Sequence, residues 1–186
     1  MGLDVSFYAD AEMVHEDKHP RALGEPKDSP GEECWDHFTV LWISDFPDQA
    51  DGLPHNSCWK TGERQAHIHH SYGGYSRFRA WLSMGALKVD PEKVWADPDK
   101  YAGAPFYEQI NFADNEGTIG PKTAAKLAED YRQHRQTVVD TWRAMPRRFD
   151  EDRATHESNI EYEITKYDEW AAAFALVTDN GFVVFS

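Results

Sequence analysis

Residues 65–79 read QAHIHHSYGGYSRFR, and within this stretch one periodicity gives way to another. CWKTGERQAHIHH (58–70) reads as holding a strand that ends near His70, with His67 and His69 on one face and Ile68 and His70 on the other. Tyr72-Gly73-Gly74-Tyr75 reads as a turn, because paired glycines permit positive φ and close backbone approach. Ser76 then opens a helical pattern that places Phe78, Trp81 and Leu82 on one face. A strand passing directly into a helix sets the class as α+β.

The flanking segments extend this class. GLDVSFYA (2–9) alternates Leu3, Val5 and Phe7 against polar neighbours, as a half-buried strand does. HFTVLWIS (37–44) is β-branched and aromatic throughout, which predicts a second strand. Between them, residues 15–33 are charged and hold three prolines without apolar period, the mark of a mobile or functional loop. FYEQINF (106–112) predicts strand character. Gly120-Pro121 open a helix that Pro146 stops, with Leu127, Tyr131, Val138 and Trp142 on its apolar face. Thr165-Lys-Tyr-Asp168 matches a capping box ahead of EWAAAFALV, and FVVFS closes the chain as a strand. The expectation is a single domain over 1–186, a mostly antiparallel sheet with about three helices packed on it.

Composition narrows the function. The chain holds 186 residues, 13% aromatic, with seven Trp, enough to bury a core without metal or disulfide support. Its net charge of −14 divides unevenly: −9 over residues 1–60, +1 over 61–150 and −6 over 151–186. That distribution argues against nucleic-acid binding, which needs a basic footprint. The sequence has no apolar run long enough to cross a membrane, and its first residues carry acids where a signal peptide carries bases, so the expectation is a cytoplasmic protein. If the end strands are neighbours, Glu161, Glu163, Asp168 and Glu169 would join the N-terminal acids in one negative face. Such a face would suit a protein partner with a basic surface.

Three groups carry possible chemistry. His67 and His69, two residues apart on one strand face, can share a divalent ion if a third ligand comes from His37, His55, Cys34, Cys58, Asp114 or Glu116. No zinc-type spacing is present, so hydrogen-bonded histidines at a strand end are the plainer reading and no cofactor is assigned. Tyr72, Gly73, Gly74, Tyr75, Ser76, Arg77 and Arg79 form a second group. Free amides at a helix start beside two arginines suit an anion, and a turn with a cap explains the same residues without a ligand. Asp114, Asn115 and Glu116 form the third, an acidic glycine-flanked loop leading to a helix N-terminus. They can serve as dipole-matched caps, a calcium or magnesium site, or an acid–base pair. Complementary charge predicts that Ser71–Arg79 and Asp114–Gly120 face each other across one cleft.

Met1–Asp4, Ser71–Arg79 and Ile110–Gly120, which reads I-N-F-A-D-N-E-G-T-I-G, together resemble a family of uncharacterised bacterial and bacteriophage proteins. Its members begin MGLD, carry a Gly-, Ser- and Tyr-rich turn followed by W-R or F-R, and later an I-N-F-x-D-x-E-G-x-I-G segment. The Asp168-Glu169-Trp170 helix and the closing strand are also alike, and the histidine run before Ser71 is a departure. The resemblance implies a shared fold and brings no activity. The leading expectation is a small acidic binding or inhibitory protein of phage-accessory type, acting through protein–protein contacts with no chemistry of its own. The alternatives are a metal-dependent hydrolase using His67, His69, Asp114 and Glu116, and an anion- or nucleotide-binding protein using the Ser71–Arg79 turn.

Overall fold

The computed structural model describes residues 2–14, 38–43, 46–112, 117–147 and 152–186. The expected loop at 15–33, and Cys34, His37, Asp114, Asn115 and Glu116, lie outside the described residues. In chain order the elements are β1 (Gly2–Tyr8), β2 (Ala11–Val14), β3 (Phe38–Val40), β4 (Cys58–Thr61), β5 (Gln65–Ser71), α1 (Tyr72–Leu82), α2 (Pro91–Ala96), α3 (Pro98–Tyr101), α4 (Tyr107–Asn111), β6 (Thr118–Ile119), α5 (Pro121–Arg143), α6 (Arg153–Leu176) and β7 (Phe182–Phe185). They form one α+β domain.

Both sheets are antiparallel. The larger runs β5-β1-β7-β6, so the two terminal strands are neighbours, with Val5 opposite Phe185 and Phe7 opposite Val183. The smaller runs β2-β4-β3. β1 buries Leu3, Val5 and Phe7 on one face, and β5 buries Ile68 and His70 beside them. The long helices α5 and α6 are antiparallel: Arg135 pairs with Asp168, while further along α5 Arg143 pairs with Glu161, nearer the start of α6. Their aromatic faces close over the sheet. Trp142, Trp170, Tyr131, Tyr167, Phe174 and Phe7 are all inaccessible to solvent or nearly so.

Several predicted elements take a different form. FYEQINF is not a strand: Tyr107–Asn111 is a short helix that buries Gln109 and Ile110, because its aromatic residues pack against α5 and the sheet. Strand propensity yields there to tertiary packing. The Tyr72–Tyr75 turn is the first turn of α1, neither glycine has positive φ, and Ser71 rather than Ser76 caps the helix by accepting from Gly74 N at 3.0 Å. α6 begins at Arg153, capped by Asp152 through Thr155 N, a full three turns before Thr165. Thr165 lies inside the helix and returns its hydroxyl to the Glu161 carbonyl, and Asp168 holds Arg135. The described part of 37–44 is strand only to Val40, with an isolated bridge from Ile43 to Gly117. The predicted α5 start is present, and Asp51 reinforces it from outside by accepting from Thr123 N. Among the described residues three short helices beyond the predicted ones, α2, α3 and α4, fill the connections.

After α1 the chain makes one wider helical turn, Ser83–Leu87, packed on α5. A side chain on Gly85 would meet Trp142 Nε1 at 2.5 Å and Val138 Cγ1 at 2.9 Å, whereas one on Gly73 would meet nothing within 4 Å. Gly85→Ala is therefore expected to lose about 1–3 kcal/mol of stability through overpacking. Gly73→Ala should be neutral or gain up to ~1 kcal/mol, as for an ordinary helical position. Urea denaturation of both variants checks the pair; a destabilised Gly73→Ala would mean that a turn needs the glycine.

Candidate functional site

The quoted stretch sends its side chains to different places. His67 and His69 stand on the outer face of β5, hydrogen-bonded to Ser6 Oγ at 3.0 Å and Asp4 Oδ1 at 2.7 Å on β1. His70 points inward and accepts from Trp170 Nε1 at 3.1 Å, so its proton sits on Nδ1. Burial, then the Lys166 charge, hold its pKa down at about 4. Among the described residues no three His, Cys, Asp or Glu side chains gather as a metal-holding set. β5 and β6 are opposite edges of their sheet, so His67 and His69 stand three strand spacings, ~14 Å, from the edge that Gly117 adjoins.

α1 does meet the segment ahead of the acidic loop. Tyr75 is buried and donates its hydroxyl to the Phe112 carbonyl at 3.1 Å. One turn on, Arg79 Nη1 donates to the Ile110 carbonyl at 3.2 Å, and Trp95 Nε1 donates to the same oxygen at 2.9 Å. α1 thus meets Ile110–Phe112, which precede the loop, while the loop's described end, Gly117–Gly120, bonds to Trp42, Gln49 and Phe185. The acidic half of the expected cleft, Asp114, Asn115 and Glu116, lies outside the described residues.

Arg79 is the singular group here. It is only 9% exposed, and its guanidinium lies between two ring faces, 5.3 Å from the Tyr75 centroid and 5.4 Å from that of Trp95. Nε is buried without a hydrogen-bond partner, and among the described residues no carboxylate lies within ion-pair reach. Among the described residues this nearly dry cation meets a carbonyl and π faces and no negative charge. It borders an open cavity of about 330 Å³ completed by Phe46, Trp95, Pro98 and Asn111.

Arg77 faces the other way. Its Nε lies 2.9 Å from Glu163 Oε1 of α6, and its guanidinium rests over Tyr162. Glu163 is therefore no surface acid. Burial raises its pKa against the opposing pull of Arg77 and Lys166. The other acids expected to form a negative face are also engaged: Glu161 with Arg143 at 2.9 Å, Asp168 with Arg135 at 2.7 Å and Glu169 with Lys166 at 2.6 Å. The helix start at Ser71 offers a weaker anion site than its sequence suggests, because Ser71 already takes the Gly74 amide and both arginines point elsewhere.

Sequence reasoning named Arg79 and missed what surrounds it. Phe46, Trp95 and Pro98 lie far apart along the chain, and their convergence on Arg79 is a tertiary fact. A second missed group, His156, Asn159 and Glu163, recurs at helical spacing on one face of α6, and a correctly placed start for α6 would have exposed it. Set against family models, curated proteins and solved structures, the chain matches none of them. Among the described residues no helix is long and apolar enough to cross a membrane.

Proposed function

We propose that the protein is a binding protein and that the Arg79 cavity takes a carboxylate carried on an apolar body. The observation that carries this reading is the guanidinium of Arg79 held between Tyr75 and Trp95 with no carboxylate partner among the described residues. A carboxylate would supply the missing charge through charge-assisted hydrogen bonds, while Phe46, Trp95 and Pro98 would cover the apolar part. This keeps the expected accessory-binding role and moves the anion site from the start of α1 to its second half. Binding is preferred over hydrolysis, because His67 and His69 already hold Ser6 and Asp4 on the outer face of the sheet.

The test is a titration with benzoate and hexanoate, read by chemical-shift changes and by Trp fluorescence, with benzyl alcohol and benzylammonium as controls. Saturable binding confined to the carboxylates is expected. Arg79→Met should weaken it at least tenfold, about 1.4 kcal/mol, and Arg79→Lys should keep part of it. Equal binding of benzyl alcohol, or an unchanged affinity in a folded Arg79→Met protein, would remove the reading.

A further inference from the structure

A separate cavity of about 240 Å³ opens between α1 and α6. Arg77 and Trp81, one helical turn apart, line it from α1; Met145 and Pro146 close one end; His156, Asn159 and Glu163 line it from α6. Glu163 belongs to its wall, with a side chain only 3% exposed. Among the described residues the cation paired with that carboxylate is Arg77, which is itself half exposed and already leans on the Tyr162 ring with its centroid 5.8 Å away.

A carboxylate taken out of water needs donors on both oxygens to replace its hydration. Arg77 is half exposed and shares its charge with solvent, so it compensates the nearly buried Glu163 only in part. The raised pKa of the group reflects the same imbalance, since burial outweighs both Arg77 and Lys166. The rest of the wall joins an apolar and aromatic side, Trp81, Met145 and Pro146, to the polar His156 and Asn159.

We infer that this cavity binds a small organic cation, a primary ammonium on an apolar stem, with the ammonium on Glu163 and the stem along Trp81, Met145 and Pro146. An ammonium carries three donors, so one group can meet the open side of the carboxylate and still reach a second acceptor. Trp81 adds a π face, on which cations are favoured over neutral ligands. The net charge of −14 raises the local concentration of cations around the whole molecule. Arg77 is a competitor in this arrangement rather than a ligand contact. The ammonium takes over the compensation of Glu163, and Arg77 stays on Tyr162 in solvent.

That competition gives an unusual sign to the test. The probes are 2-phenylethylammonium, its neutral analogue 2-phenylethanol and the anion 3-phenylpropionate, titrated by calorimetry with chemical-shift mapping of the Trp81 indole. Wild-type protein should bind the ammonium at least tenfold more tightly than the alcohol, with the Trp81 signal shifting. Glu163→Gln should abolish that preference, Arg77→Gln should strengthen ammonium binding several-fold, and Arg79→Met should leave it unchanged. If 3-phenylpropionate is the probe that moves Trp81 and Arg77→Gln removes its binding, the cavity is an anion site and the inference fails. It also fails if wild-type protein does not distinguish the ammonium from the alcohol, a comparison that needs no variant to fold.

Discussion

Trp170→Ala should lower the unfolding free energy by about 3–5 kcal/mol, the range for truncating a large buried aromatic. Against a typical total of ~5–15 kcal/mol, such a variant is left barely folded. The size follows from what the indole touches. Trp170 is inaccessible to solvent and meets four elements besides its own helix. It is edge-on to Phe7 of β1 at 5.6 Å, stacked on Tyr75 and Phe78 of α1 at 5.6 and 5.9 Å, and stacked on Phe185 of β7 at 6.1 Å. Its N–H meets His70 of β5. Removing it opens a void where the sheet and two helices converge, among aromatic rings that are stiff and closely packed. Trp170→Phe keeps most of the apolar area and loses the indole N–H, so about 1–2 kcal/mol is expected there. Urea unfolding followed by far-UV circular dichroism measures both. A loss below ~1 kcal/mol for Trp170→Ala would mean that the aromatic cluster is not the centre of the core.

That cluster also explains which parts of the fold were legible in the sequence. β1 could be read because Leu3, Val5 and Phe7 alternate against Asp4, Ser6 and Tyr8, and the two faces do differ in burial. α5 could be read because Leu127, Tyr131, Val138 and Trp142 repeat at helical spacing between a proline start and a proline stop. The first half of α6 could not. ATHESNIEYE has only Ala154 and Ile160 as aliphatic residues, and its inward side includes Glu163, a residue type that pattern reading assigns to the surface. α4 failed for the opposite reason: Phe and Tyr favour strand, and so short a segment carries too little helical period to outweigh them, although the adjacent buried pair Gln109 and Ile110 suits a helix. For the site, the sequence could single out Arg77 and Arg79 as cations near glycines. It could not tell that one would find Glu163 and the other would find no carboxylate among the described residues. Burial and pairing are tertiary facts, and they separate two arginines that look equivalent along the chain.

Acid should unfold this protein partly through one histidine. His70 has an ordinary pKa of 6.5 when exposed and about 4 in the fold, where burial and then Lys166 disfavour the charged ring, Glu169 opposes them, and His69 and Arg77 add smaller repulsions. The hydrogen bond from Trp170 demands the same neutral form, because a protonated ring has no acceptor left at Nε2. Below pH 6.5 the unfolded chain takes up this proton and the folded chain does not. Unfolding therefore binds protons in that window, and stability falls as the pH falls from about 6.5 to about 4. Between those limits the loss is about 3 kcal/mol, two and a half pKa units less the half-protonation at the lower end. His70→Gln isolates this contribution: its amide oxygen can still accept from Trp170, it does not titrate, and every carboxylate contribution to acid unfolding remains. The variant should be less stable than wild type at pH 7 through imperfect packing, yet lose about 3 kcal/mol less on going to pH 4. Urea midpoints at half-unit steps across that range give both curves. Parallel curves would mean that His70 takes its proton as readily inside the fold as outside, which a ring stacked on Phe78 and Trp170 and accepting an indole N–H does not allow.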